Sequence, residues 1–389
     1  VRTTEGKPVL AVRLQGERGL AEATAAALSA QAVPDRATHG FHTYPAGLHP
    51  DAARDLLALF PGTSVLDPFC GGGTVLVESM IAGRRAEGAD VGPVACRVAW
   101  ARTRRTDEAR RTALRSAARR ITERARLATD LPPAHIAERV DRWYERHVAV
   151  ELESIRLQIP DAAPDPVTRD LLWAAFSSIL IKVSWRRSDT SPLLDVRERP
   201  PGTTSILFHK RVREYARQLE ELERLTNAEV PEAVVRRVDA RLSSGEGGFD
   251  LILTSPPYPA VYDYLPAQDL REIWLGLDVD DTKEIGARRH WREDEGGAIR
   301  RWLKDTEAWM RSACSRLSAG GAAVVVIGDG LIRSGPIDAL AATVDVGARV
   351  GMDVVCSASL ARPDHARAAE RWEHVVVLRP GVSARRRAT

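Results

Sequence analysis

Asp67-Pro68-Phe69-Cys70-Gly71-Gly72-Gly73-Thr74, read together with Thr254-Ser255-Pro256-Pro257-Tyr258, decides the fold. Each stretch follows an apolar run that reads as a buried strand, residues 63–66 before the first and 249–253 before the second. A glycine-rich turn after a first strand lets a nucleotide-like cofactor approach the backbone closely. A polar residue followed by Pro-Pro-aromatic makes a rigid ledge, which fixes two carbonyls and one side-chain oxygen and sets a flat ring beside them. The first stretch is not spaced G-x-G-x-x-G and no lysine follows its glycines, so a phosphate-cradling P-loop is excluded.

Working outward, strand one spans 64–69, Gly71, Gly72 and Gly73 form the turn, and 74–81 is the helix that follows. Strand two covers 85–89 and ends at Asp90, about 20 positions past the glycines, where an acidic residue commonly accepts hydrogen bonds from ribose hydroxyls. Strands three to seven are read at 233–238, 249–253, 320–327, 352–360 and 373–378, with Gly328-Asp329-Gly330 as the turn after the fifth. A helix is expected over 262–275, after the ledge. Upstream, 20–32 reads as an alanine-rich helix closed by Pro34, and 51–59 as a helix behind Leu48-His49-Pro50. No function is legible in residues 1–37.

Together the two stretches resemble motifs I and IV of the S-adenosylmethionine-dependent amino-methyltransferases that modify exocyclic amines of bases in DNA. Thr38-His39-Gly40-Phe41-His42-Thr43-Tyr44-Pro45-Ala46 is similar to motif X of that family, which lines the methionine end of the cofactor. Asp90 with Val91-Gly92-Pro93-Val94-Ala95 resembles motif II, and Asp239-Ala240 resembles motif III, whose Asp often hydrogen-bonds the adenine amine. The resemblance implies an α/β class I Rossmann-like methyltransferase fold with a seven-stranded, mostly parallel sheet whose last strand is antiparallel. It implies S-adenosyl-L-methionine as cofactor, held by Tyr44, Pro45, Asp67, Pro68, Phe69, Gly71, Gly73, Thr74, Asp90, Asp239 and Ala240, with Asp67 facing the amino-acid end. It also implies a catalytic ledge of Ser255, Pro256, Pro257 and Tyr258.

The resemblance covers 38–95 and 233–380, the two parts of the methyltransferase core. Residues 1–37 are then an N-terminal extension and 381–389, with Arg385-Arg386-Arg387, a flexible tail. Residues 96–232 exceed what a crossover needs by about a hundred, and read as a largely helical insertion that could serve target recognition. In it, 99–128 forms a long helical pattern with a core face at Ala113, Leu114, Ala117, Ala118 and Ile121. Its many arginines, Arg102 among them, make a polar face, either solvated or in contact with DNA. Pro132-Pro133 breaks the pattern, 136–159 is helical again, 160–166 is a linker and 171–183 a buried helix. The run Lys182-Val183-Ser184-Trp185-Arg186-Arg187-Ser188-Asp189-Thr190 combines cations, hydroxyls and a ring, so Lys182, Arg186 and Arg187 are candidate nucleic-acid contacts. The alternative is an ordinary charged loop.

Composition sets bounds. The 389 residues are 44% hydrophobic and 28% charged, a globular rather than disordered balance, and a net charge of +3 does not by itself demand a nucleic-acid partner. The basic residues are almost all arginine, which suits phosphate recognition but also follows from a GC-rich genome. Cys70, Cys96, Cys314 and Cys356 form no C-x-x-C pair, so neither a zinc site nor a disulfide framework is indicated and a reduced cytosol fits. With no leader and no apolar run of about 20 residues, a cytoplasmic protein without a membrane span is expected. His39, His42 and His49 invite a metal reading, yet acidic or thiol partners are missing nearby, and no metal is expected.

The chemistry follows from the ledge. An exocyclic base amine is a poor nucleophile because its lone pair is delocalised into the ring. Two acceptors against its hydrogens, Ser255 Oγ and the Pro256 carbonyl, would pull the nitrogen toward a tetrahedral shape and stabilise the charge that grows on it. In-line positioning does the rest, Tyr258 would stack on the base face, and a base in a duplex must first be flipped out. C5-methylation of cytosine would need a cysteine, typically after proline, and no Cys here follows a Pro. In the family, Ser at the first ledge position occurs mostly in cytosine-N4 enzymes, and Asp or Asn in adenine-N6 enzymes. Site-specific methylation of cytosine N4 in DNA is therefore expected, with a cognate restriction or defence component as a possible partner. The alternatives are an adenine-N6 DNA enzyme, an RNA guanine-N2 enzyme and a non-catalytic nucleic-acid-binding module. The motif order X, I, IV is alpha-like, whereas many enzymes with this ledge have motif IV first. The insertion lies between motifs II and III rather than III and IV.

Overall fold

The computed structural model describes residues 11–30, 36–45, 47–242, 245, 247–292, 294–364 and 369–381. The chain begins with β1 (Val12–Gly16), α1 (Arg18–Ser29), α2 (Pro50–Ala58), β2 (Ser64–Asp67), α3 (Thr74–Ile81), β3 (Arg85–Asp90) and α4 (Pro93–Arg102). Helices α5 (Glu108–Ala125), α6 (Ala134–Val140), α7 (Arg146–Gln158), α8 (Pro166–Val183) and α9 (Thr203–Leu225) follow, with a hairpin of β4 (Arg186–Ser188) and β5 (Ser191–Leu194) between the last two. The remainder runs β6 (Val234–Arg237), β7 (Phe249–Thr254), α10 (Asp269–Leu275), α11 (Glu295–Cys314), β8 (Leu317–Gly328), β9 (Gly330–Ile332), β10 (Gly335–Ile337), α12 (Ala339–Arg349), β11 (Met352–Asp364) and β12 (Ala369–Pro380).

The main sheet has the order β1-β11-β12-β8-β7-β2-β3-β6. Parallel pairing joins β6 to β3, β3 to β2, β2 to β7 and β7 to β8. β12 is antiparallel to both β8 and β11. Without β1 this is the expected class I methyltransferase sheet, with the last strand inserted antiparallel between the fifth and sixth. The expected count of seven is corrected to eight, because β1 adds antiparallel to β11, from Val12 opposite Leu360 to Gly16 opposite Cys356. All five β1 residues are exposed. Backbone pairing, with the Arg13 guanidinium laid over the Trp372 ring at 3.9 Å, holds the strand to an otherwise open edge, so no apolar pattern announces it.

The central strands are apolar without alternation because helices cover both faces. Val65, Leu251, Leu253, Val324 and Val326 point into one core with α1 and α2. Leu66, Ile252, Val325 and Ile327 point into the other, with α11 and α12. A third core, built around Leu114, Leu152, Phe176, Phe208 and Tyr215, belongs to the helices and contains no residue of the main sheet.

Three helix expectations are corrected. The pattern read over 99–128 is two helices, α4 and α5, because Thr103 Oγ1 donates to the Ala99 carbonyl (2.9 Å) and Asp107 caps a new start by accepting from Arg110 N (2.8 Å). The stretch 136–159 is interrupted by a 3-10 turn at Asp141–Trp143. Only α10, behind the turn Pro266–Gln268, is helical in 262–275, since Asp263 and Glu284 capture the backbone N–H groups of Arg289 and Tyr264 instead. Pro34, Ala46 and the tail Ser383–Thr389 lie outside the described residues. No helix among the described residues is long and apolar enough to cross a membrane.

Candidate functional site

The strand order reverses between β2 and β7, which places both motif stretches at neighbouring carboxyl ends, the position where open α/β sheets bind ligands. Asp67 ends β2 and Thr254 ends β7, and the Thr254 hydroxyl donates to Asp67 Oδ1 at 2.7 Å. The same oxygen accepts from Phe69 N at 3.1 Å, which bends the chain out of the strand. Burial pushes the Asp67 carboxyl up to about 7, against these two bonds, which lower it.

The glycine turn is shaped by its neighbours. Gly71 and Gly73 hold φ of +47° and +82°, in the left-handed region. A Cβ at Gly73 would meet Ala99 Cα at 2.9 Å, and one at Gly72 would meet Tyr44 Cβ at 3.0 Å. Tyr44, from the segment similar to motif X, therefore lies against the turn. Arg102 locks that contact, donating to the carbonyls of Gly72 (2.9 Å), His39 (2.9 Å) and His42. Burial lowers its guanidinium to about 10. The expectation that Arg102 belongs to a solvent-facing arginine stripe is corrected. At the end of α4 it turns inward, because three otherwise unpaired carbonyls need donors.

Asp90 supports the turn from the next strand. Its Oδ2 accepts from Gly71 N at 3.0 Å and its Oδ1 from Gly92 N at 2.8 Å. Burial pushes this carboxyl up to about 6, opposed by those backbone bonds. A carboxylate offers about four lone-pair sites, so two remain for hydroxyl donors.

One cavity joins these groups, with about 930 Å³ of space, part of it open to solvent. Tyr44, Pro45, Asp67, Pro68 and Phe69 border it on one side, and Gly71, Thr74 and Asp90 form its floor near the turn. Asp239 and Ala240 border it after β6, and Ser255 and Pro257 border it at the ledge. Gly73 does not; it starts α3 against Ala99. Asp239 is held by Arg241, whose Nη2 reaches Oδ2 at 2.6 Å and which also bridges to Asp305 at 2.9 Å. Burial raises the Asp239 carboxyl, but the bonds from Arg241 outweigh it and the net shift is downward.

Pro256 and Tyr258 do not border the cavity. The Tyr258 ring covers Gly328 of β8, where a Cβ would come within 2.6 Å of Tyr258 Cε2. Its hydroxyl donates to Glu373 Oε1 at 2.9 Å and lies 3.5 Å from Ser255 Oγ. The missing side chain at Gly328 makes room for the half-buried ring, and the Glu373 carboxylate anchors its tip.

The candidates from the run 182–190 sit elsewhere, Lys182 near the end of α8 and Arg186 and Arg187 on β4. Arg186 pairs with Asp269 at 2.5 Å, lies over the Trp143 ring, and leaves 8% of its side chain exposed. Its expected role as a free phosphate contact is corrected, because it ties the hairpin to α10. Lys182 and Arg187 are exposed. The three histidines serve separate ends: His39 pairs with Glu78 (2.7 Å), His42 with Ser177 (3.0 Å), and His49 accepts from Asp51 N (3.2 Å) to cap α2.

Sequence reasoning missed Tyr264 and the segment Lys283-Glu284-Ile285, which also border the cavity, and Glu373 on β12. All arrive through tertiary folding of irregular segments or a distant strand, and no local pattern marks them.

No protein-family model matches the chain. It is 26% identical over 277 residues to the type II methyltransferase M.MvaI of Kocuria varians, a match covering 64% of this chain and 60% of that protein. The chain thus spans about three fifths of that relative's length. Similar solved structures include TrmN from Thermus thermophilus (13% identity, TM-score 0.30, 85% of this chain and 48% of that one). The rRNA methyltransferase aviRa from Streptomyces viridochromogenes (14%, 0.32, 87% and 88%) is another. A third is an S-adenosylmethionine-dependent methyltransferase from Methanosarcina mazei (9%, 0.34, 87% and 99%). Strand order, rather than these slight overlaps, fixes the fold.

Proposed function

We propose that this chain is an S-adenosylmethionine-dependent methyltransferase acting on an exocyclic base amine in DNA, with cytosine N4 as the target. The observation that carries the reading is that one cavity is bordered both by the Gly71 turn with Asp90 and by the Ser255–Pro257 ledge. Cofactor groove and acceptor ledge are therefore continuous.

The cofactor is S-adenosylmethionine, which supplies an electrophilic methyl on a sulfonium. The cradle fits it. Glycines at the turn leave backbone exposed to a ligand, and Asp90 stands ready for ribose hydroxyls with two lone-pair sites. By the family resemblance, Asp67 would face the amino-acid end and Asp239 the adenine, with Tyr44 and Phe69 adding apolar walls. At the ledge, Ser255 Oγ borders the cavity and accepts an amine hydrogen, stabilising the charge that develops on nitrogen. Pro256 itself does not border the cavity, so its carbonyl would serve as the second acceptor only at the cavity's edge.

A second surface supports a nucleic-acid substrate. Beside the ledge, Ala260 opens a groove walled by Arg288, Arg292 and Arg333 around Trp291. Arg288 and Arg333 keep 48% and 75% of their side chains exposed while pairing with Asp263 (3.7 Å) and with Glu295 of the same groove (3.4 Å). Guanidinium groups spaced along a groove suit a phosphate backbone. The likeness to a type II methyltransferase is in keeping with a cognate restriction or defence component as partner.

Labelled methyl transfer to duplex DNA and to RNA, followed by nucleoside mass spectrometry, tests this. N4-methylcytosine supports it, and N6-methyladenine alone moves the target to the sister amine. Methylated guanine in RNA with no DNA product overturns it.

A further inference from the structure

We propose that Glu373 is a positioning residue of the ledge, fixing the direction of a hydrogen-bond chain so that Ser255 can only accept from the substrate. The inference rests on the proposed amine methylation. It starts from an otherwise unassigned carboxylate on β12, more than a hundred residues beyond the ledge in sequence.

The chain runs Ser255 Oγ to Tyr258 Oη at 3.5 Å, then Tyr258 Oη to Glu373 Oε1 at 2.9 Å. An ionised carboxylate has no hydrogen to give, so the single Tyr258 hydrogen must point at Glu373. The Tyr258 oxygen can then only accept, and the single Ser255 hydrogen points at Tyr258. Both Ser255 lone pairs are left for the cavity that Ser255 borders. At 3.5 Å the first link is long, as catalytic hydrogen bonds often are before substrate tightens them.

Two features hold Glu373 in this role. Arg362 Nε donates to its other oxygen at 2.8 Å, and Arg362 Nη2 donates to the Leu28 carbonyl at 2.7 Å, which ties the pair to the end of α1. Gly328 lets the Tyr258 ring lie close enough to bridge the two ends. Without Glu373, the Tyr258 hydrogen could turn to Ser255. The Ser255 hydrogen would then face the substrate amine, donor against donor.

The test uses wild-type protein, Glu373→Gln, Tyr258→Phe and the double variant on whichever nucleic acid the wild type methylates. A failure of the DNA reading thus shows in the wild-type product and leaves the comparison of variants intact. Each single variant should lower kcat about tenfold, the worth of one hydrogen bond, with nucleic-acid KM and cofactor affinity within about twofold of wild type. The double variant should be no slower than the slower single, because both break one chain. Full kcat in Tyr258→Phe, which keeps the ring over Gly328, overturns the proposal even if Glu373→Gln folds poorly. Multiplicative losses in the double variant, or a raised KM with unchanged kcat, would also overturn it.

Discussion

The Thr254 hydroxyl donates to the buried Asp67 carboxylate at 2.7 Å and so joins the carboxyl ends of β7 and β2 into one floor beneath the cavity. The two motif stretches, almost two hundred positions apart in sequence, are coupled by this bond. Thr254→Val keeps the shape and removes the donor. It should cost about 1–3 kcal/mol in denaturant unfolding, because a buried carboxylate loses a partner. Thr254→Ser should recover most of that loss. Equal stability for all three proteins would show that the bond contributes nothing.

The shifts on Asp67 and Asp90 give the cofactor-free protein a definite pH dependence. Both folded-state values, about 7 and about 6, are raised above the ordinary carboxylate value by burial. The folded state therefore holds protons that the unfolded state releases. Their contribution to stability is most favourable near pH 4 and falls as pH rises toward 7, at up to about 1.4 kcal/mol per pH unit for each group. Asp67→Asn should flatten that slope. Cofactor binding should run the other way. An ionised Asp67 is the form that attracts a positively charged amino-acid end, so affinity should weaken as pH falls below 7. Calorimetry at pH 6 and pH 8 decides, and equal affinities would remove Asp67 from the cofactor's charged end.

Legibility of the chain divides along physical lines. The strands are readable because both faces of the sheet are covered, which leaves runs such as Leu251-Ile252-Leu253 uniformly apolar. The glycine turn is readable because its conformation admits few other residues. β1 is not, because exposed side chains on a backbone-paired edge carry no pattern. Arg102 is misplaced by a sequence reading because composition cannot tell a solvated arginine from one that satisfies three buried carbonyls. Tyr258 is legible as part of the ledge. Its orientation depends on Gly328 and Glu373, which no local spacing could connect to it.

Asp90 should be more than a ribose acceptor. It already accepts from Gly71 N and Gly92 N, so Asp90→Ala removes support from the turn as well as acceptors from the ligand. Two separate losses are expected: a lower unfolding midpoint without cofactor, and weaker S-adenosylmethionine binding than one lost hydrogen bond of about 0.5–1.5 kcal/mol accounts for. Unchanged cofactor affinity in calorimetry would leave Asp90 a purely structural residue.

Salt dependence should separate the two candidate DNA surfaces. Charge reversal at Arg292 and Arg333, beside the ledge, should reduce the slope of log affinity against log salt by about 0.9 for each phosphate that the protein no longer neutralises. The same change at Lys182 of α8 and Arg187 of β4 tests the second surface. Arg186→Ala should act differently, lowering stability by breaking the Asp269 pair and leaving the slope nearly alone. A slope altered only by the Lys182 and Arg187 variants would shift the substrate path to the helical insertion.

The ledge itself provides the last test. Ser255 borders the cavity while Tyr258 stands behind it, so their substitutions should differ in kind. Ser255→Ala removes an acceptor that matters most as positive charge grows on nitrogen, and should lower kcat with little change in DNA affinity. Ser255→Asp restores an acceptor of the type common in adenine enzymes and should regain part of the rate. Tyr258→Ala should also reduce kcat, because the ring and hydroxyl behind Ser255 are lost together. If the ring instead swings out to stack on a flipped base, the same substitution should raise the DNA KM, since base stacking is worth about 1–3 kcal/mol. Steady-state kinetics with DNA as the varied substrate distinguishes the two: a kcat defect at constant KM supports the anchored ring, and a KM defect at constant kcat supports a mobile one.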